Sequence, residues 1–157
     1  MCFELRYLLK DEVGDSNPRV SKTGIRGLIV AKTSLSPYYV IKELRAIIRE
    51  HPYKFRYALR IIPVERVVPT DLEEIKSAAS KFAAKIKENE TFRVTVEKRF
   101  TDLHSKNFIE ASATAIQRKV NLENPDKILL IEVIGGLTGM ALITPNDVLA
   151  VLKEKML

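Results

Sequence analysis

The sequence has few of the residues that build most reactive sites in enzymes. Among 157 residues there are one cysteine, Cys2, two histidines, His51 and His104, and no tryptophan. A single cysteine excludes an internal disulfide and a cysteine metal cluster, which favours a reducing compartment such as the cytoplasm. Two isolated histidines are too few for a metal site or a triad, so helix-end or surface positions are the better interpretation.

Long apolar runs and phosphate-binding loops are also missing. No apolar run reaches the roughly 18 residues that span a bilayer, and the opening MCFELRYLLKDE lacks the pattern of a signal peptide. GGLTG lacks the G-x-G-x-x-G spacing and precedes a predicted strand, which favours a hairpin turn. The GIRG stretch has the spacing of a KH-domain loop but enters a strand instead of joining two helices. We therefore expect no membrane association, no cofactor and no metal.

Positive charge is in excess and unevenly placed. The chain has 26 Lys/Arg and 20 Asp/Glu, for a formal net charge of +6. Residues 1–69 hold 13 basic and 7 acidic side chains, whereas residues 70–157 hold 13 of each. This asymmetry indicates a polyanionic partner such as nucleic acid. Solubility alone would also account for a net charge of this size.

Apolar periodicity predicts strands and helices that alternate along the chain, so the fold class is α/β or α+β. The predicted strands are 3–9, 25–33, 55–61, 91–100, 127–136 and 139–143, with a surface loop at 11–24. Four helices are predicted from N-terminal caps, which are Ser36-Pro37, the capping box Thr70-Asp71-Leu72-Glu73, Ser105 (extending to Val120) and Thr144-Pro145.

The strand TFRVTVEKRF contains a lysine on its apolar parity. Phe92, Val94 and Val96 share one face, and Lys98 follows them there. Glu132 lies inside the apolar run ILLIEVI and must find a partner or shift its pKa. We predict that Lys98 or Arg99 neutralises it, because a catalytic role would need a second positioned group that the sequence does not supply.

Aromatic and basic residues interleave in Tyr53-Lys54-Phe55-Arg56-Tyr57, and Arg60 lies four residues beyond Arg56 on the same predicted strand face. This mixture suits phosphate contacts combined with base stacking. The alternative is that Phe55 and Tyr57 are core residues and the arginines are merely solvated. No RNP aromatic pair, zinc knuckle or helix-turn-helix pattern indicates base-specific readout.

Two long blocks resemble a known family. TFRVTVEKRF, followed by a helix that ends in KVNLENPDKILLIEVIGG, is similar to the core of a THUMP domain, and LRIIPVERVVPTDLEEIKSAASKFAAKI is similar to the segment before it. The resemblance is greatest to stand-alone THUMP proteins related to the accessory subunit of eukaryotic tRNA cytidine acetylation. It implies that residues 1–39 complete an N-terminal ferredoxin-like half, packed with a THUMP core of mixed sheet and flanking helices at 40–144. Residues 145–157 would form a C-terminal helix.

The family resemblance implies tRNA binding at the acceptor stem and 3′ end. Because no catalytic domain is expected in this chain, it implies a non-catalytic adaptor that presents tRNA to a separate enzyme. By resemblance that enzyme is an RNA cytidine acetyltransferase, which makes N4-acetylcytidine. Two alternatives stay open: a protein-interaction module without direct RNA binding, and a small enzyme with a pocket around Glu132 or His104.

The resemblance also places candidate RNA contacts. The basic end of the family's TFRVTVEKR strand falls on Lys98 and Arg99, and the LRIIP block falls on Arg60. The candidate phosphate contacts are Arg60, Lys98, Arg99 and Lys106, followed by Arg56, Lys54 and Arg118. Each would neutralise phosphate and release counterions without reading bases. Lys98 keeps two interpretations, partner of Glu132 or RNA contact.

Overall fold

The structure, a computed structural model, describes residues 1–156 and divides into two compact units. The first unit comprises Met1–Pro63 and Asp147–Leu157, and the second comprises Val64–Asn146. The boundary between the units therefore follows Pro63, whereas the sequence placed a domain boundary after residue 39. Residues 40–63 belong to the first unit because their apolar side chains complete its core.

The first unit is built from short elements. They are α1 (Cys2–Tyr7) with a π-helical turn (Leu8–Glu12), β1 (Arg19–Lys22), β2 (Ile29–Lys32), α2 (Pro37–Glu50), a 3₁₀ turn (Pro52–Lys54), β3 (Arg60–Ile61), β9 (Leu149–Ala150) and α5 (Val151–Lys155). Strands β1 and β2 form one antiparallel pair, and β3 and β9 form another.

Helix α2 forms where the sequence predicts it. The Ser36 side chain accepts a hydrogen bond from the backbone N–H of Tyr39, and Pro37 occupies the first helical turn. Its stripe of apolar side chains packs into the core of the unit with the α1 segment. Full burial of each side chain contributes about 1.5–3 kcal/mol. The buried residues of this stripe are Val40, Ile41, Leu44 and Ile48.

The predicted first strand is wrong, because residues 3–9 are helical. Leu5, Leu8 and Leu9 are buried at helical spacing, whereas Phe3 is 85% exposed. The strand prediction arose because Phe3, Leu5 and Leu9 also fit the alternation of a strand. A period of two and a period near four share members. The predicted closing helix also begins late: Leu149–Ala150 is a strand, and α5 starts only at Val151. The predicted 11–24 loop contains β1.

The predicted strand 55–61 is reduced to Arg60–Ile61 by a side chain from α1. The Glu4 carboxylate accepts hydrogen bonds from the backbone N–H groups of Arg56, Tyr57 and Ala58. Three successive N–H groups that converge on one carboxylate cannot alternate between neighbouring strands. The chain therefore bends around Glu4 before β3 begins.

The second unit contains one mixed sheet. Its elements are β4 (Arg66–Pro69), α3 (Leu72–Ala83), β5 (Thr91–Arg99), α4 (Ser105–Thr114), β6 (Lys119–Val120), β7 (Lys127–Ile134) and β8 (Leu137–Ile143). The strand order is β4-β8-β7-β5-β6, with β5 parallel to β6 and β7 and the other pairs antiparallel. The mixed sheet with flanking helices confirms the predicted fold class.

Helices α3 and α4 supply the apolar side chains that cover one face of this sheet. Phe82 from α3 and Phe108 from α4 pack in one cluster with Phe92 of β5. The sheet contributes further members from β7 and β8, namely Leu129, Ile131, Val133 and Met140. Because Phe92, Val94 and Val96 share one strand parity, the next residue of that parity, Lys98, starts on the helix-covered face.

Several local details differ from the predictions. Asp71, not Thr70, caps α3 and accepts from the N–H groups of Glu73 and Glu74, while the Thr70 hydroxyl lies 2.9 Å from that of Thr138. Helix α4 ends at Thr114, so its predicted extension to residue 120 is wrong. Lys119–Val120 instead pairs with β5. In the β7–β8 hairpin the turn is at residues 135–136, and Gly139 lies within β8.

Candidate nucleic-acid interface

Glu132 and Arg99 form an ion pair on the second unit's sheet. In the parallel register Glu97 lies opposite Glu132, so Arg99, two residues further, shares the face of Glu132 and reaches it diagonally. Arg99 Nη1 lies 2.9 Å from Glu132 Oε2, and the two side chains are 25% and 9% exposed. The prediction that one of the two basic residues neutralises Glu132 is confirmed. The partner is Arg99, because Lys98 points to the opposite face.

The Lys98 side chain donates a hydrogen bond to the connection between β5 and α4. Its Nζ donates to the Leu103 carbonyl at 3.0 Å, and the residue is exposed. An ammonium group has three N–H donors, so one hydrogen bond to a carbonyl leaves capacity for a phosphate. The structural role assigned to Lys98, pairing with Glu132, is therefore wrong, and the RNA-contact role stays a prediction.

Phe100 follows β5 in a conformation that bulky residues avoid. Its φ is +58°, and among the described residues it is the one non-glycine with positive φ. The ring is 76% exposed, so burial does not repay the strain of a left-handed backbone. Sequence reasoning missed this residue, because Phe100 simply restores the apolar alternation of its strand. No sequence pattern here indicates the sign of its φ.

Lys106 and Arg118 have different surroundings. Lys106, in the first turn of α4, is 82% exposed and lies 3.7 Å from Glu110, a pair of negligible strength at the surface. The Arg118 guanidinium instead donates to the carbonyls of Ile86, Lys87 and Gln117. Arg118 therefore fixes the chain after α3 and is a poor candidate for a phosphate contact. Lys98, Arg99, Phe100 and Lys106 lie at the C-terminal end of β5 or follow it in the chain. We call this group the β5 edge.

The first unit holds the other candidates. Arg56 and Arg60 are exposed, and Tyr57 is 61% exposed. Because residues 56–59 are not in a strand, the two arginines do not share the strand face that the sequence suggested. Lys54 forms an ion pair with Glu12. The hydrogen bond between them raises the pKa of Lys54 and lowers that of Glu12. Lys54 is thus already paired within the fold.

Of the interleaved aromatic residues, only Phe55 is core. Phe55 is 1% exposed, whereas Tyr53 and Tyr57 are 69% and 61% exposed. The alternative that Phe55 and Tyr57 are core residues is therefore confirmed for Phe55 and wrong for Tyr57. The bend around Glu4 turns Tyr57 outward, and two exposed aromatic rings accompany the exposed arginines of this unit.

The net charge belongs to the first unit. That unit holds 14 Lys/Arg and 8 Asp/Glu, whereas the second holds 12 of each. Long-range attraction of a polyanion follows net charge. Any long-range attraction of a polyanion would therefore come from the first unit.

Metal-binding clusters, cavities and membrane-spanning helices are the remaining features of the described part of the chain. Residues 1–156 contain no cluster of three or more His, Cys, Asp or Glu side chains that could hold a metal ion. A cavity of about 140 Å³ in the second unit is lined by Glu65, Arg66, Lys81, Phe82 and Lys85, and thus by neither Glu132 nor His104. Within the same residues, no helix combines the length and apolarity that a membrane crossing requires.

The second unit thus belongs to the class of α/β modules with a mixed sheet, two covering helices and an exposed cationic edge. Residues 69–142 match the family model of the THUMP domain. This stretch, just under half of the chain, is therefore similar to a THUMP domain. The matched residues run from the end of β4 to β8 and include the β5 edge.

Known proteins share this fold. The chain is 29% identical over 144 residues to an uncharacterized protein of Methanocaldococcus jannaschii, MJ0421, covering 88% of this chain and 37% of that protein. The crystal structure of PH1313 from Pyrococcus horikoshii superposes with a TM-score of 0.64 at 24% identity over 92% of this chain and 48% of that one.

Two further solved structures have a fold similar to that of this chain. A 4-thiouridine synthetase–RNA complex with bound ATP gives a TM-score of 0.54 at 17% identity, covering 90% of this chain and 36% of that one. TrmN from Thermus thermophilus gives 0.55 at 13% identity, covering 90% and 40%. These likenesses show a shared fold. The chain spans less than half the length of each relative.

Proposed function

We propose that this chain is a non-catalytic adaptor that binds tRNA and presents it to a separate modifying enzyme. The observation that carries the proposal is a THUMP domain whose β5 edge exposes Lys98, Lys106 and Phe100. Cations beside an exposed aromatic ring suit a nucleic acid that offers phosphates and an unpaired base. The 3′ end of a tRNA is unpaired and follows its acceptor stem, and we assign that end to the β5 edge.

The residues of the β5 edge take different roles in this proposal. Lys98 and Lys106 neutralise phosphates, because both ammonium groups reach solvent. The Phe100 ring stacks on a base. A strained backbone at an exposed aromatic residue is typical of positions that are kept for function. Arg99 forms an ion pair with Glu132, and only the exposed part of its side chain contacts RNA.

The first unit contributes attraction and phosphate contacts. Arg56 and Arg60 are exposed there, beside Tyr57 and within the unit that carries the net charge. Contacts of this kind fix the register of the RNA without reading its sequence. Recognition is then of tRNA shape and of its unpaired end.

The partner enzyme in this proposal is an RNA cytidine acetyltransferase that makes N4-acetylcytidine. The support is the similarity of the blocks VNLENPD and ILLIEVIGG to the stand-alone THUMP proteins of tRNA cytidine acetylation. The enzyme supplies acetyl-CoA and the transfer chemistry, and this chain supplies tRNA binding without a cofactor. The adaptor works where the enzyme and tRNA are, in the cytoplasm.

Binding across a salt series tests the first part of the proposal. The affinity of the purified chain is measured for an intact tRNA and for the same tRNA without its unpaired 3′ nucleotides. We expect a steep fall in affinity with salt and weaker binding of the trimmed tRNA. Equal binding of both tRNAs would remove the 3′ end from the interface. Weak, salt-insensitive binding would instead favour a protein-interaction module.

Reconstitution tests the second part. An RNA cytidine acetyltransferase is incubated with tRNA and acetyl-CoA, with and without this chain, and N4-acetylcytidine is quantified by mass spectrometry. We expect this chain to raise the yield, and the variant K98Q/K106Q to raise it less. A yield that is independent of the chain would contradict the acetylation partner and leave tRNA binding intact.

A further inference from the structure

The β1–β2 hairpin of the first unit is a cationic element without acidic residues. Between Asp15 and Glu43 there is no Asp or Glu, whereas the hairpin and its turn contain four basic residues. They are Arg19, Lys22, Arg26 and Lys32. The hairpin lies outside residues 69–142, which match the THUMP model. Its charge is therefore not explained by the domain that implies tRNA binding.

The strand register places like charges together. Arg19 lies directly opposite Lys32 in the antiparallel pair, and both residues are exposed. Like charges at directly opposed positions destabilise a pair of strands. Among residues 1–156, no carboxylate forms an ion pair with any of the four basic side chains. The fold therefore tolerates an uncompensated repulsion on the hairpin surface.

The base of the hairpin is held by hydrogen bonds to one buried carboxylate. The buried Asp15 carboxylate accepts hydrogen bonds from the hydroxyl of Thr33 at 2.6 Å, from the hydroxyl of Ser34 at 2.8 Å and from the N–H of Asn17 at 3.0 Å. Asn17 precedes β1 and the two hydroxyl residues follow β2, so one carboxylate ties both ends together. These contacts hold the hairpin in one orientation within its unit.

The tip and the two faces of the hairpin are also defined. The Thr23 hydroxyl donates to the Leu28 carbonyl at 2.8 Å, and Gly24 and Gly27 take φ values of +84° and +80°. Glycine adopts such angles without strain, and the turn leaves Arg26 exposed at the tip. Val20, Ile29 and Ala31 pack against the core of the unit. Arg19 and Lys32 lie on the opposite face, which is left to solvent, whereas Lys22 shares the side of Ile29 and is exposed at the strand end.

We propose that this hairpin is a second RNA-binding surface, in which Arg19, Lys22, Arg26 and Lys32 contact phosphates of the tRNA double helix. The proposal rests on the proposed function, because it names a further contact of the same ligand. Four cations spread over one hydrogen-bonded hairpin suit a ligand whose charges are spaced along a backbone. A membrane surface fits less well, since binding there needs exposed apolar side chains. Val30 is the one exposed large apolar residue of β1 and β2.

Two neutralising variants test the hairpin against a matched control. R19Q/K32Q removes the opposed cations, and K76Q/K87Q removes two exposed cations from the second unit. Binding of intact tRNA is measured from about 0.05 to 0.3 M salt. With a slope of about 0.9 per phosphate, R19Q/K32Q should lower the salt slope by about two and weaken binding about tenfold. K76Q/K87Q should change the slope by less than half as much.

The thermal stability of R19Q/K32Q should not fall together with its RNA affinity. Because R19Q/K32Q relieves a like-charge pair, its midpoint of thermal unfolding should stay equal to that of the wild type or rise. Weaker binding together with equal or higher stability excludes unfolding as the cause. If R19Q/K32Q lost stability and binding together, R26Q, at the solvent-exposed tip, should still lower the salt slope by about one. An unchanged slope for R26Q would overturn the proposal.

The outcomes separate this proposal from the proposed function. If the wild type fails to bind tRNA, the proposed function fails and the hairpin proposal fails with it. If the wild type binds and R19Q/K32Q behaves like K76Q/K87Q, only the hairpin proposal is overturned. Binding of phosphatidylserine vesicles that exceeds tRNA binding, and that is lost in R19Q/K32Q, would also overturn it in favour of a lipid surface.

Discussion

At the residue scale, Phe100 couples backbone strain to exposure. Its φ of +58° is costly for a side chain with a Cβ, and its ring is 76% exposed. F100G should therefore raise the free energy of unfolding by about 0.5–1 kcal/mol, since glycine adopts this region freely. Urea unfolding measures the change. F100A, which keeps the Cβ, is the control and should not gain stability, and a loss of stability in F100G would contradict strain at this position.

The same position offers a direct probe of stacking. The chain contains no tryptophan, so F100W introduces a single indole at the β5 edge. We expect a short single-stranded RNA to quench its fluorescence, because a stacked base lies in contact with the ring. L122W is the matched control: Leu122 is 66% exposed and follows β6, which pairs with the opposite end of β5. Equal quenching in both variants would contradict a specific platform.

Arg99 stabilises the fold, so a substitution at Arg99 changes stability as well as any RNA binding. R99A leaves the largely buried Glu132 carboxylate without its guanidinium partner at 2.9 Å. Removal of one member of a buried pair costs about 3 kcal/mol or more. We therefore expect R99A to lower the free energy of unfolding by about that amount, measured by urea denaturation. E132Q/R99A should recover part of the loss, and equal losses in the two variants would show that the pair is not coupled.

These residues also show what sequence reasoning can reach. The pairing of Glu132 with Lys98 or Arg99 was predictable, because a carboxylate in a continuous apolar strand requires a partner. The choice of Arg99 followed only from the parallel register that places Glu97 opposite Glu132. From the sequence, Arg118 was predicted to be a phosphate contact. Its role depends on carbonyls 31 and 32 residues away along the chain, which no local pattern indicates.

At the element scale, we expect Asp15 to contribute acid-dependent stability at the base of the hairpin. The hydrogen bond from the Thr33 hydroxyl, supported by Asn17 and Ser34, lowers the pKa of Asp15 from 3.8 to about 2. A lowered pKa in the folded state means that the stabilisation is complete above pH 3.8 and is lost as the pH falls towards 2. Urea unfolding between pH 6 and 2 should show this loss in the wild type and less of it in D15N. Parallel pH profiles would contradict it.

Element length decides how well each segment was predicted. Helices α2 and α3 and the strand β7 were predictable, because each has a cap or an apolar pattern that persists over 8 to 14 residues. The segments 3–9, 55–59 and 149–150 were not. They are short, and tertiary contacts decide their conformation, as the Glu4 carboxylate does for the N–H groups of residues 56–58.

At the scale of the whole molecule, charge and family resemblance fall on different units. The THUMP match lies within the second unit, which is neutral, whereas the first unit carries the net charge of +6. Charge asymmetry was visible in the sequence, but its confinement to one unit required the division after Pro63. We infer a division of labour in which one unit supplies general attraction for RNA and the other recognises its unpaired end.

This division predicts which tRNA each set of variants affects. R56Q/R60Q, in the first unit, should weaken binding of intact and trimmed tRNA by the same factor and lower the salt slope by about two. K98Q/K106Q, at the β5 edge, should weaken binding of intact tRNA more, and should nearly abolish the preference for intact over trimmed tRNA. Affinities of both variants and the wild type for both tRNAs, measured at one salt concentration and then across the series, complete the test. If R56Q/R60Q instead removed the preference for the 3′ end while K98Q/K106Q preserved it, the roles of the two units would be reversed, and the first unit would bind the unpaired nucleotides.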